Sequence, residues 1–234
     1  MRYRALATDF DGTLAWDGRV AASTINALQR VHDLGRRLIL VTGRELTDLF
    51  ATSQDTHLFD WIVAENGAVL HEPRTRATTV LAPPPPLQLI ERLRAQAVPL
   101  SLGHSIVATV SPHEHAVLDA IHELGLEWHV IFNKGSVMAL PADVTKATGL
   151  LPVLSRLGVS PLETIGIGDA ENDQAFLRLC GLAVAVNNAL PAVKAGAHLT
   201  THGARGEGVE EVIDRWLNGG LDDLEPDLCD EGGR

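Results

Sequence analysis

Six side chains carry the chemistry this sequence offers. They are the carboxyls of Asp9, Asp11, Asp169 and Asp173, the hydroxyl of Thr42 and the ammonium of Lys146. Asp9 and Asp11 close the run Ala5-Leu6-Ala7-Thr8 with one residue, Phe10, between them. Residues two apart in an extended chain point the same way, so both carboxyls leave the strand end on one side. Four carboxylates brought to one spot repel each other unless cations join them. A hard divalent ion with few protein carboxylates and several waters is the preference of Mg2+. Lys146 follows Thr145, an N-cap by type, so its charge falls in a first helical turn, where the dipole disfavours cations. A lysine placed against the dipole needs another partner, and an anionic site supplies one.

The elements that must position these groups follow from the pattern. Residues 4–10 read as a buried strand. A helix capped by Ser23 or Thr24 follows, with Ile25, Leu28, Val31 and Leu34 inward and Gly35 as its stop. Residues 37–41 are a second strand ending in Thr42-Gly43-Arg44. A helix starts near Glu45, and residues 60–64 are a third strand ending in Glu65-Asn66-Gly67. Strand, helix, strand, helix, strand predicts a parallel sheet, and ligands of such sheets collect outside the carboxyl ends of the strands. Asp9, Thr42 and Asn66 all sit at such ends.

Near residue 68 the texture changes. Short strands at 68–71 and 78–81 lead to four prolines, 83–86, a stiff spacer. A helix near 87–97 and a strand at 106–110 follow. Ser111-Pro112-His113-Glu114 reads as a capping box with proline at the first helical position. Residues 128–132 and 137–140 flank Asn133-Lys134-Gly135-Ser136, a hairpin. The first texture returns with a helix at 146–157, which Pro152 should kink or shorten. A strand at 163–167 ends in Gly168-Asp169, a helix carries Phe176, Leu177 and Leu179, and strands at 182–186 and 197–200 precede a closing helix at 209–217. The chain thus divides into an α/β core of 1–67 and 142–218, an α+β insert of 68–141, and a mobile acidic tail of 219–234.

Composition excludes several classes. The 234 residues are 45% hydrophobic and 21% charged, an ordinary globular balance. A net charge of −11 argues against a nucleic-acid partner. Cys180 and Cys229 make neither a metal knuckle nor a disulfide framework, and a reducing, cytoplasmic setting is the simplest expectation. No signal peptide or membrane span is expected. The state is monomer or homodimer. Arg44 reads as a helix-start or cap-facing surface residue, with phosphate binding left open, and Trp61 and Trp128 read as packing.

In order, Asp9-Phe10-Asp11-Gly12-Thr13, Thr42-Gly43-Arg44, Lys146 and Gly168-Asp169-Ala170-Glu171-Asn172-Asp173 resemble the four motifs of the haloacid dehalogenase superfamily. The insert resembles that superfamily's C2-type cap. More closely, the chain is similar to Cof-type phosphatases and archaeal-type phosphoglycolate phosphatases. Glu65-Asn66-Gly67-Ala68, Asn188-Ala189 and Gly206-Glu207-Gly208-Val209 also match that group. The resemblance implies an α/β Rossmannoid core under a C2 cap. It implies a Mg2+-dependent phosphomonoester hydrolase of a small phosphorylated metabolite, phosphoglycolate or a sugar phosphate. Asp9 would be the nucleophile and Asp11 the general acid and base. The metal would be held by Asp9, Asp169 and Asp173 with Asp11, the last by its backbone carbonyl in the family's usual pattern. Thr42, Gly43 and Lys146 would hold the phosphoryl oxygens. Asn172 would orient neighbouring groups, and Asn66 and Asn188 would face phosphate or the metal's water shell. Asn187 stands where many relatives carry glycine, with little harm expected because asparagine tolerates positive φ, and Phe176-Leu177, where relatives often carry methionine, changes packing and not chemistry. A phosphotransferase or mutase could use the same aspartyl phosphate. A receiver-like signalling module would need neither the second acid nor a cap.

Overall fold

The computed structural model describes residues 2–133 and 135–222. Most of the acidic tail, with Cys229, and the side chain of Lys134 therefore lie outside the described residues. The chain begins β1 (Ala5–Thr8), α1 (Ala22–Asp33), β2 (Arg37–Val41), α2 (Leu46–Thr52), β3 (Trp61–Ala64), β4 (Val69–Glu72) and β5 (Ala77–Val80). It continues with α3 (Leu87–Ala95), β6 (Ser101–Leu102), β7 (Val107–Val110), α4 (Glu114–Glu123), β8 (Trp128–Asn133) and β9 (Ser136–Pro141). It ends with α5 (Lys146–Leu157), β10 (Thr164–Gly168), α6 (Gln174–Leu179), β11 (Leu182–Ala185), α7 (Pro191–Ala195), β12 (Leu199–Thr200) and α8 (Gly206–Leu217). One sheet has the order β12-β11-β10-β1-β2-β3-β4-β5, parallel from β12 to β3. Its central strands are wholly buried, as helices on both faces require: β1, β10 and β11 show no exposed residue. A second, antiparallel sheet has the order β6-β7-β9-β8. One face of it packs on Leu89, Leu93, Val117 and Ile121 of α3 and α4, a small apolar cluster separate from the main core. Among the described residues no helix is long and apolar enough to cross a membrane.

The parallel α/β sheet stands as read from the strand-helix alternation, and so does the 133–136 hairpin, in which Asn133 pairs with Ser136. Other expectations are corrected. The strands at 69–72 and 77–80, expected in the insert, extend the large sheet: β4 pairs antiparallel with β3, and β5 with β4. A tight turn at Glu65–Gly67 reverses the chain there, and Val69 and Leu70 enter the main core. Helix α1 begins at Ala22, with Ala21 as an N-cap that makes no side-chain bond. Ser23 and Thr24 instead donate to Glu210 Oε1 of α8, at 2.8 and 2.6 Å. The helix ends at Asp33 with Leu34, 60% exposed, as its C-cap, and Thr24 and Ala27 take inward places with Leu28 and Val31. No capping box forms at Ser111: its amide donates to Gly135 O in the hairpin turn, and α4 starts at Glu114 with His113 as N-cap. Pro152 lies inside α5 without ending it. Helix α8 starts three residues early, at Gly206. The chain just past it is packed and not mobile, because Leu221 is fully buried and Asp222 Oδ1 accepts the Arg2 amide at 2.8 Å.

Two glycines let α5 reach the strand ends. Gly67 has φ +114, and a Cβ there would overlap the carbonyl oxygen of Thr145. Gly149, one turn into α5, has its own hypothetical Cβ 2.5 Å from the Gly67 Cα. This close approach brings Lys146 down to the sheet. Gly67→Ala therefore combines a strained φ with a backbone clash, and should lower stability by about 3 kcal/mol. A thermal melt checks this, and an unchanged melting temperature would show that α5 can give way.

Candidate active site

The site is assembled at the carboxyl ends of β1, β2, β3 and β10. The Asp9 amide still belongs to the sheet, donating to Ile167 O at 2.9 Å, while the residue as a whole is 4% exposed. Thr145 caps α5 through reciprocal bonds with Thr148, which fixes the first turn and the lysine in it. Lys146 Nζ donates to Asp9 Oδ1 and to Asp173 Oδ1, each at 2.5 Å. It stands 5.9 Å from the Phe176 ring centre and is sealed from solvent. The expectation that an anionic site holds this lysine against the dipole thus describes its surroundings.

Asp173 is fixed from both sides. Its Oδ2 accepts the amides of Asp169 and Ala170, both at 2.9 Å. Asp169 Oδ1 accepts the Thr13 hydroxyl at 3.1 Å. Oxygen atoms of Asp9, Asp169 and Asp173 all lie within 4.8 Å of one another, and the three residues are buried. Burial pushes the Asp9 carboxyl up to about 8, with the charge of Asp173 adding to the rise and Lys146 opposing it. Burial alone would lower Lys146, but the carboxylates of Asp173 and Asp9 outweigh it and hold the amine above the ordinary lysine value. Three carboxyl groups crowd around one ammonium. That donor set, all hard oxygen, fits a divalent metal ion.

The side chain of Asp11 stands apart from this cluster, which corrects its placing among the converging carboxylates. Arg44 grips it as a fork, Nε to Oδ2 at 2.7 Å and Nη2 to Oδ1 at 2.8 Å. Arg44 Nη1 also donates to Asp48 and Thr52, and the guanidinium lies over the Phe10 ring. Arg44 is thus neither a surface group nor a bare helix start; it is what holds the second acid. A bidentate, charge-assisted pair of this kind is among the stronger polar contacts available. Its position two residues past Thr42, at a strand end, was the signal; its residue type was not, because an arginine at a helix start has many uses.

Thr42 is buried, and its hydroxyl accepts the Arg44 amide at 3.1 Å. Gly43 lines the pocket, and a Cβ on it would stand 3.0 Å from the Asn66 side chain. Asn66, at φ +54, accepts from Asn172 Nδ2 at 2.8 Å, so these two amides brace each other. Asn188 donates to Gly12 O at 2.8 Å and accepts the Arg205 amide at 2.8 Å, tying the Asp9–Gly12 turn to the start of α8. A pocket of about 940 Å³ opens over Asp9, Asp11 and Asp169, and Phe132, Asn133, Ser136 and Met138 of β8 and β9 form its far wall. Trp16 and Arg205, neither of them singled out in the sequence, stand in its lining. A cluster of this make can bind a metal, present a carboxylate to an electrophile and receive an anion.

A family model described as haloacid dehalogenase-like hydrolase matches residues 6–102 and 122–213. The phosphoglycolate phosphatase of Methanothermobacter thermautotrophicus is 30% identical over 224 residues, spanning 92% of this chain and 99% of its own. Phosphoglycolate phosphatase 2 of Saccharolobus solfataricus is 28% identical, spanning 92% of each chain. Among solved structures, a haloacid dehalogenase-like hydrolase of Bacteroides thetaiotaomicron superposes with a TM-score of 0.79 at 21% identity, over 92% of this chain and 99% of that one.

Proposed function

This chain belongs to the haloacid dehalogenase-like hydrolases, and from that we propose that it is a magnesium-dependent phosphatase of a small phosphorylated metabolite, with Asp9 as nucleophile. The observation that carries the reading is the buried Asp9 at the end of the central strand, bonded to Lys146 beside Asp169 and Asp173. Phosphoglycolate is the first substrate to test, on the strength of the two relatives that bear that name.

Asp9 attacks phosphorus through a carboxylate oxygen, the P–O bond to the leaving group breaks, and an aspartyl phosphate forms. Asp11 gives its proton to the departing alkoxide and later takes one from the water that attacks the aspartyl phosphate. To do so it has to loosen the Arg44 fork, which occupies both of its oxygens. Lys146, the Gly43 amide and the Thr42 hydroxyl hold the phosphoryl oxygens, which suits a reaction carried by positioning and charge. Asp9, Asp169 and Asp173 would hold Mg2+, which supplies positive charge against the phosphoryl group when bound. The segment from about 82 to 141 serves as the cap: its wall of Phe132, Asn133, Ser136 and Met138 faces the leaving group and excludes water.

The test is phosphate release from a panel of phosphoglycolate and sugar phosphates, with magnesium and with EDTA. Release should depend on magnesium and vanish in EDTA. The magnesium needed for half-activity should fall between pH 6 and pH 8, because Asp9, raised to about 8, must lose its proton before a cation can replace it. Activity that survives EDTA would remove the metal reading, and a magnesium requirement indifferent to pH would show that Asp9 holds no proton the metal must displace.

A further inference from the structure

Arg205 is a cation that the chemistry above does not use. It lines the same pocket as Asp9 and Asp11. Among the described residues no carboxylate pairs with its guanidinium, and its Nε is buried without a hydrogen-bond partner. The pocket's other described guanidinium, Arg44, is already committed to Asp11 and Asp48. A buried donor left unmatched is costly, and such atoms in native proteins call for a ligand or a reason.

Three further features hold Arg205 in place. Its guanidinium lies 3.7 Å from the ring centre of Trp16, which is itself 66% exposed at the pocket rim. An indole face orients a guanidinium without consuming its hydrogen-bond donors. Its backbone has φ +51 and ψ −131, a region that glycine favours, and non-glycine residues held there concentrate at ligand sites. Its amide is fixed by Asn188, which also grips Gly12 O, so the arginine is one side chain away from the turn that carries Asp9 and Asp11.

We propose that Arg205, laid on Trp16, binds the carboxylate of a phosphorylated acid whose phosphoryl group sits at Asp9, and so selects leaving groups that bear a second negative charge. A planar guanidinium matches a carboxylate with two parallel bonds, which an alcohol cannot accept in the same way. Asp17 and Glu171 also line the pocket, so an acidic leaving group needs a specific cation to enter. The proposal rests on the phosphatase reading and adds to it the residue that reads the far end of the substrate.

The experiment compares kcat/KM for 2-phosphoglycolate and for 2-hydroxyethyl phosphate, which lacks the carboxylate. The enzyme is measured as wild type, Arg205→Gln and Arg205→Gly, with p-nitrophenyl phosphate as a common control. Wild type should prefer the acid, and both variants should lower that preference by about 30-fold, chiefly through KM of the acid. Arg205→Gly removes the backbone strain, so it should melt no lower than wild type while losing the preference. A structural arginine would give the opposite: a lower melt and an unchanged ratio. An unchanged ratio in both variants, or a wild-type ratio near one, overturns the proposal and leaves the phosphatase reading intact. A wild type that releases phosphate from sugar phosphates but not from the acid overturns this proposal alone, and one that releases it from none of these substrates overturns the phosphatase reading with it.

Discussion

Asp9→Asn should abolish phosphate release, with kcat lower by about 10⁴-fold or more, and leave the fold intact. The amide keeps the size of the carboxyl. Its Oδ1 can still accept from Lys146, and the backbone bond to Ile167 is untouched. What disappears is the nucleophilic oxygen and one of the three charges that attract a divalent ion. The melting temperature should hold, because the wild-type carboxyl is itself disfavoured as an anion: burial and Asp173 push it up to about 8. The measurements are steady-state phosphate release, a melt, and intact mass to exclude deamidation back to aspartate. Near-normal turnover in a verified asparagine protein would sink the nucleophile assignment. Lost turnover with a collapsed melt would mean only that the site had unfolded.

Asp9 could be read from the sequence because its setting is local. An apolar run ending in Asp-x-Asp-Gly fixes a strand, its end and the side on which the carboxyls emerge. Lys146 could be read from its conflict with a helix dipole, and the conflict is resolved by contacts across 137 and 27 residues of chain. The failures are of another kind. Thr24 has the right type for an N-cap, but its hydroxyl is taken by Glu210, and only the packing of α1 on α8 brings the two together. At Ser111 it is the backbone amide that is taken, donating to the Gly135 carbonyl across the hairpin turn. The strand character of residues 69–80 was visible, but their sheet was not, since a pleat pattern does not name its partner. Arg44 and Arg205 belong to this second kind as well. Their roles depend on what stands opposite, a fork-ready Asp11 in one case and an indole face in the other.

Lys146→Met separates two things the lysine does. The methionine keeps an apolar stem against Phe176 but removes the ammonium between Asp9 and Asp173. Removing one partner of a buried ion pair leaves an uncompensated charge, at about 3–5 kcal/mol. For a chain of this size that lowers the melting temperature by roughly 10 °C. The loss should depend on pH, measured in EDTA. Asp9 is already raised from 3.8 to about 8 with the lysine present, and it rises further without it. A carboxyl raised on folding binds more protons in the folded state than in the unfolded one. Its contribution therefore turns against folding as pH climbs from about 4 towards the folded value. Wild type stops losing stability above its Asp9 value of about 8, whereas the variant, with a higher value, goes on losing it, so the deficit should be small near pH 7 and large near pH 9.5. Magnesium should recover part of it near pH 9.5, because a cation at the three carboxylates replaces the missing charge. Turnover should not recover with it: the phosphoryl group still lacks a fixed donor, a loss of about 10²–10³-fold or more in kcat. A melt deficit equal at both pH values would show that the lysine matters for packing alone. Turnover restored by magnesium would show that the metal, and not Lys146, carries the phosphoryl charge.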